Sequence, residues 1–352
     1  MFFGIFLVSV QAEEWSRFRG DAQSTGVANS SLPAELDVLW RAQVEIGIES
    51  TAAIWQDAVY VGGLDEKLYA FKWTYLATGE IKSSPLVFEK TVFFGDGNGA
   101  FHAVDAQTGN ALWTFQTDGE IISSANAAEG RVLFGSYDQF LYCLAPDSGS
   151  LLWKIETDGY IHGMPAIAQA HTLIAGCDGL LRVIDIASGK EQSQIELGAY
   201  VGASAAVHQT RAYVGTYESQ VLGIDLTAKE IAWRYEHLQR KFPYFASPSV
   251  TSERVIVAGR DKMVHALDPD TGDVLWTYTS RSRFEASPVV VGNRVFAGTM
   301  DGKIVAIDLD TGEPDWEFVT GSEFVASPSV ARERLIIGTT DGTLYCFGKA
   351  EE

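Results

Sequence analysis

Six cations in one stretch of this 352-residue chain could do chemistry together: Arg240, Lys241, Arg260, Lys262, Arg281 and Arg283. Guanidinium groups grip carboxylates in bidentate fashion and stack on aromatic faces. Phe242, Tyr244, Phe245 and Phe284 interleave with these cations. The chemistry on offer is capture of carboxylates or of an extended peptide. The competing reading is a solvated surface neutralised by Glu236, Asp261 and Glu285, with the aromatic rings packed inside. His162, beside Met164 and Pro165, reads as a satisfied rim residue rather than a base or ligand. No Ser-His-Asp constellation or carboxylate pair can be assembled, so no catalytic residue and no metal ligand are assigned. Asp65, Asp138, Asp178, Asp261, Asp301 and Asp341 recur once per repeat, which marks them as turn-formers.

Residues forty apart can meet only if the architecture brings them to one face, and the sequence carries such an architecture. Trp73, Trp113 and Trp153 are forty apart, Trp233 lies two periods on, and Trp276 and Trp316 follow at forty-three and forty. Pro85, Ala125, Pro165, Ala205, Pro248, Pro288 and Pro328 keep the same time. Residues 83–121 read as four short strands: Pro85 to Phe88, Thr91 to Gly95, Phe101 to Val104 and Leu112 to Gln116. Asp96-Gly97-Asn98-Gly99 and Asp105-Ala106-Gln107-Thr108-Gly109 join them with residues that tolerate positive φ. Units of this size cannot bury an apolar face alone and must stack. The expected fold is all-β: an eight-bladed propeller of four-stranded antiparallel blades.

The last repeat stops after its third strand. Asp37-Val38-Leu39-Trp40-Arg41-Ala42 has the form of the absent fourth, so an N-terminal strand is expected to close the ring and remove an open sheet edge. Trp40, Trp73, Trp113, Trp153, Trp233, Trp276 and Trp316 are then the structural residues that wedge one blade against the next. In the fourth repeat Ser193 stands where the tryptophan belongs, which predicts a looser seam. The first repeat lacks the whole Asp-x-x-Thr-Gly turn, so its strands must be shortened or distorted. Positions entering each blade (Glu49, Lys82, Ile122, His162, Gly202, Phe245, Glu285, Val325) are expected to ring one mouth of the channel. The hairpin positions Leu64, Gly97, Tyr137, Cys177, Tyr217, Arg260, Met300 and Thr340 should share that face.

Residues 1–12 resemble a secretory signal, with an apolar run before Val10-Gln11-Ala12 but no basic start. Residues 13–36 form a leader and 37–348 a single propeller. The apolar run is too short to span a bilayer. The formal charge of −20 excludes nucleic acid as a ready partner, because the summed field repels phosphate. Cys143, Cys177 and Cys346 are expected as free thiols rather than a disulfide framework.

The segment Ala266-Leu267-Asp268-Pro269-Asp270-Thr271-Gly272-Asp273-Val274-Leu275-Trp276 resembles the pyrroloquinoline-quinone-type (PQQ-like) repeat, and Ala103 to Trp113 and Ala306 to Trp316 match equally well. The leader Trp15-Ser16-Arg17-Phe18-Arg19-Gly20 is similar to the segment preceding such propellers in exported bacterial proteins. The resemblance extends to the BamB-type scaffolds of outer-membrane β-barrel assembly. It implies a periplasmic or secreted, non-catalytic scaffold, monomeric or part of a complex, that binds a protein or peptide partner of the cell envelope and needs no cofactor. The alternative it implies is a PQQ- or small-anion-binding propeller with calcium and quinoprotein oxidoreductase-like activity. Against that alternative, the adjacent cysteine pair and C-x-x-C-H of such dehydrogenases do not occur here.

Overall fold

The computed structural model describes residues 14–70 and 72–350. The signal-like segment 1–12 lies outside the described residues. Among them there is no helix, and eight antiparallel sheets follow one another around a ring. Blade 2 is typical, with strands Leu86–Phe88, Thr91–Gly95, Ala100–Asp105 and Ala111–Gln116 in that order from the channel outward. Blade 8 consists of Ser329–Ala331, Arg334–Gly338, Thr343–Gly348 and the N-terminal strand Asp37–Gln43. Trp40 pairs with Cys346 in the register in which Trp153 pairs with Cys143 and Trp276 with Ala266. The ring is closed by the strand expected to close it.

Each second and third strand is apolar on both faces because neighbouring blades cover it from both sides, as Val92, Phe93 and Phe94 show. A hoop of hydroxyls binds the inner edges. The amide of Thr51 donates to Ser84 Oγ, Ser84 to Ser124, Met164 to Ser204, Ser204 to Ser247, Ser247 to Ser287, Ser287 to Ser327, and Ser327 back to Thr51 Oγ1. Met164 has no hydroxyl to accept from Ser124. There Ser123 Oγ donates to the Gly163 carbonyl at 2.8 Å and spans the same gap.

At the outer edges of five of the eight seams, an indole seats one blade on the next. The Nε1–H of Trp73, Trp113, Trp153, Trp233 and Trp276 donates to the carbonyls of Ala106, Pro146, Ile186, Pro269 and Leu309, at 2.8–3.2 Å. These carbonyls belong to the turn between the third and fourth strands of the following blade. The turn's glycine lies flat on the ring: a Cβ added to Gly109 would come within 2.6 Å of Trp73, and one on Gly272 within 2.6 Å of Trp233. Glycine is thus required twice, for positive φ and for close approach.

Three seams depart from this rule. Trp316 of blade 7 faces blade 8, whose third and fourth strands are not joined by a turn, and its ring packs on Phe347 at 5.6 Å instead. Ser193 offers no ring to blade 5, whose turn carries Lys229 at positive φ where the others carry glycine. A cleft of about 340 Å³ lies there, lined by Ser193, Leu226, Thr227 and Lys229. Blade 1 has the opposite defect. Its third strand, Lys67–Ala70, and its fourth, Trp73–Leu76, are each cut to four residues and pair directly at Ala70 and Trp73. Among the described residues no turn extends over Trp40, which is 40% exposed, whereas Trp233 is 7% and Trp276 9% exposed.

The leader, residues 13–36, has no repeat. It runs around one end of the channel and touches all eight blades in order. Trp15 exchanges two backbone bonds with Ile54, Val87 N–H donates to Ser16, Arg17 reaches Asn126, and Ile167, Val207, Val250 and Val290 donate to Ala22, Gln23, Thr25 and Gly26. Val27–Ala28 then adds a parallel fifth strand to blade 7, and Glu333 N–H donates to Ser30 Oγ.

Two consequences can be measured by urea denaturation. Trp276→Ala removes a seated, hydrogen-bonded ring and should cost about 3–5 kcal/mol, whereas Trp40→Ala, with no seat above it, should cost about 1 kcal/mol or less. Deleting residues 37–46 exposes the Thr343–Gly348 edge and should yield an oligomeric or insoluble product by sedimentation. A monomeric, cooperatively folding deletion would contradict this account of closure.

Candidate functional site

The leader makes the channel a cup rather than a pore. Phe18 forms its floor, and its wall is the hydroxyl hoop. Its mouth carries Glu49, Lys82, Ile122, His162, Gly202, Phe245, Glu285 and Val325, the ring of positions expected there. The cavity is about 270 Å³. Its serines are spent on the hoop, which leaves Glu49, Lys82, His162 and Glu285 as its chemistry.

His162 Nδ1 is 2.7 Å from the Tyr137 hydroxyl, and its ring meets Phe245 edge-on at 5.2 Å. Burial disfavours the imidazolium and lowers the His162 pKa to about 4. Burial likewise pushes the Tyr137 hydroxyl up to about 12. Tyr137 stacks on Tyr160 at 4.8 Å, and Tyr217 meets Phe245 at 6.1 Å. With the exposed Tyr200, these rings form an aromatic crescent on the mouth above blades 3–6.

Beside the crescent lies a groove of about 800 Å³ that holds Arg240, Arg260, Lys262, Arg281 and Arg283, with Phe242, Met300, Asp261 and Glu323. The structure therefore brings together five of the six arginines and lysines singled out in the sequence. Lys241 stays outside, paired with Glu236 at 2.7 Å. Arg260 and Arg283 each lie 2.9 Å from Glu285, and Arg260 also stacks over Phe245 at 5.3 Å. Arg240 donates to the Asp261 carbonyl at 2.9 Å. Asp261 is buried and committed to His265 at 2.7 Å, so it does not neutralise the groove surface.

Two predicted ligands require correction. Tyr244 and Phe284 are buried, with exposures of 1% and 0%. They occupy the register of Ile48, Ile81, Ile121, Ile161, Val201 and Phe324, where each blade entry drives an apolar side chain inward. Tyr244 packs against Gly215, as Ile121 does against Gly95. Its hydroxyl meets Asp261 and His265, both at 3.3 Å. The rings that do face the groove and mouth are Phe242 and Phe245. One position earlier in the same register the chain reads Gly47, Glu80, Glu120, Tyr160, Tyr200, Pro243, Arg283, Glu323. That line contains the division of the rim into acidic, aromatic and basic sectors, and Tyr160 and Tyr200 were missed because it was not read.

The hairpin aspartates bind their own turns. Asp138 accepts from Phe140 N–H and the Tyr142 hydroxyl, Asp178 from Leu180 N–H and Arg182, and Asp341 from Thr343 N–H and Thr339. In blade 2, burial works against ionisation of Asp96, yet bonds from His102, Thr78 and the Ala100 amide hold its pKa down at about 2.

Comparison with known proteins decides the family. The sequence profile described as outer membrane protein assembly factor BamB matches residues 33–129, 119–192 and 177–351. The chain belongs to this BamB-like family of PQQ-repeat propellers. No curated protein sequence matches it significantly. Among solved structures, BamB from Moraxella catarrhalis is similar at 18% identity and a TM-score of 0.77, over 90% of this chain and 100% of that one. Quinohemoprotein alcohol dehydrogenase from Comamonas testosteroni is similar at 14% and 0.82, over 96% and 81%. The computationally designed protein Ika8 is similar at 16% and 0.77, over 92% and 99%. At these identities the structures share a fold with this BamB-like chain, and no more is taken from them.

The PQQ-like repeat makes PQQ with calcium, the alternative the resemblance implies, the cofactor to test against the cup. Calcium takes six to eight oxygen ligands. The mouth offers two carboxylates, Glu49 and Glu285, and Arg260 and Arg283 already hold Glu285. Among the described residues no group of three or more His, Cys, Asp or Glu side chains could hold a metal ion. The donor set of this BamB-like propeller does not fit the group.

The His162 environment sets a pH signature. Its pKa is lowered on folding, so unfolded chains bind the extra proton. The stabilisation is complete above about pH 6.5 and is lost as pH falls towards about 4. Titration of the imidazole by NMR should give a midpoint below pH 5; a midpoint near 6.5 would contradict the packed geometry.

Proposed function

We propose that this propeller is an exported, non-catalytic scaffold that binds an extended, acidic segment of an envelope protein across the rim above blades 5–7. One observation carries the reading: on a chain of charge −20, five cations line a single groove that continues into an aromatic crescent. Arg281, with no ion pair among the described residues, can grip a carboxylate in bidentate fashion, and Arg240 and Arg283 add the guanidinium nitrogens not spent on the Asp261 carbonyl and Glu285. The crescent supplies flat rings for a peptide's side chains at small entropic cost. Family membership supports the scaffold reading, since the profile that matches is that of an outer-membrane protein assembly factor. Among the described residues no helix is long and apolar enough to cross a membrane. The acidic remainder of the surface steers acidic partners towards the groove by repelling them elsewhere.

The test is binding of a labelled twelve-residue peptide rich in glutamate and phenylalanine, with capture from an envelope fraction in parallel. Arg281→Glu with Arg283→Glu should weaken both at least about tenfold, near 1.4 kcal/mol, while Tm shifts little. Wild-type binding should fall as salt rises. Unchanged affinity in the double variant would sink the proposal. So would PQQ-dependent oxidation of an alcohol by the protein with calcium.

A further inference from the structure

The seam between blades 8 and 1 is built for a piece it does not contain. Trp40 has the backbone register of the five seated tryptophans, and its ring faces blade 1 across a cleft of about 680 Å³. Val59, Val61, Tyr69, Ala70 and Leu344 line this cleft. It continues the blade 8–blade 1 interface outward. The turn that would cover it elsewhere is missing from the chain.

The other seams specify what would fit. A turn must place a carbonyl on the indole Nε1–H and lay a glycine flat on the ring. A charge contact accompanies these. The arginine opening the second strand of blade 5, Arg211, lies 3.2 Å from Asp270 in the turn of blade 6. Arg254 of blade 6 lies 2.7 Å from Asp310 in the turn of blade 7. Arg294 of blade 7 donates to the carbonyls of Leu32, Pro33 and Ala34, where the leader enters blade 8. Arg334 is the same residue in blade 8. Among the described residues its guanidinium donates only to the Glu333 carbonyl, at 3.1 Å, and pairs with no carboxylate.

We infer that the Trp40 seam is a docking seat for an Asp-x-Asp-Thr-Gly turn presented by a second protein. Trp40 receives the turn's glycine and carbonyl, and Arg334 takes its middle aspartate. Charge complementarity and continuity with the interface favour this occupant over a lipid or an apolar helix. A second copy of the chain is the wrong donor, because its own turns of this form already lie on their own tryptophans. The seat lies on the outer wall of the ring, so its occupancy is independent of the basic groove.

The probe is a cyclised peptide with the sequence of Ala266 to Trp276, added to the full chain labelled with ¹⁵N. The Trp40 indole N–H resonance should shift on titration, and fluorescence anisotropy should give a Kd that rises at least tenfold for Trp40→Ala or Arg334→Gln. Replacing the peptide's glycine by alanine should have the same effect with the protein untouched. Inserting Asp-Pro-Asp-Thr-Gly between Ala70 and Trp73 should fill the seat from within, raise Tm and abolish peptide binding. A Trp40 resonance that does not move at millimolar peptide overturns the inference. So does binding indifferent to the glycine, or a Trp40-dependent dimer without peptide.

Discussion

An indole lying on a glycine turn holds this ring together from outside. At five seams one blade brings the ring on its fourth strand, and the next blade brings the turn between its third and fourth strands. Neither half has a use alone, since an unseated tryptophan exposes apolar surface and an unoccupied glycine forfeits backbone entropy. The seams at Ser193 and Trp40 show that the halves depend on each other. Where Ser193 replaces the ring, Lys229 replaces the glycine. Where blade 1 lacks the turn, Trp40 is left in solvent. Inside, the hydroxyl hoop does the corresponding work on the strands that border the channel.

The architecture was legible because the repeat is a physical necessity that writes itself into spacing. Strand number, the closing strand at Asp37–Gln43, the loose seam at Ser193 and the shortened strands of blade 1 all follow from counting. The leader was not legible, because a segment that runs around a channel meets a different blade every few residues and has no period to display. Tyr244 and Phe284 were misread for a related reason. Their chemistry suggested a surface, whereas the aliphatic residues at the same register in other blades show that the position points inward. Tyr160 and Tyr200 were legible in principle by reading one register further.

The rim shows how a symmetric scaffold acquires a direction. The backbone repeats eight times, but side chains at the entry positions pass from glutamate through tyrosine to arginine around the mouth. Arg260 binds Glu285 and the face of Phe245 together, which fixes its guanidinium at the boundary between aromatic and basic sectors. Such division costs the fold little, because these residues sit on connections rather than between sheets. Family membership is accordingly written in the turns and tryptophans, and individuality in the residues between them.

Blade 8 unites residues some three hundred positions apart, with Gln43 opposite Thr343. A chain synthesised from its amino end must therefore carry Asp37–Gln43 as an orphan strand until Thr343–Gly348 has been made. Bringing such distant segments together pays its loop entropy late, a topology associated with slow folding. Through that interval the nascent protein keeps sheet edges able to pair with other chains. The ring is thus closed in one event, when Thr343–Gly348 meets Asp37–Gln43, rather than grown blade by blade.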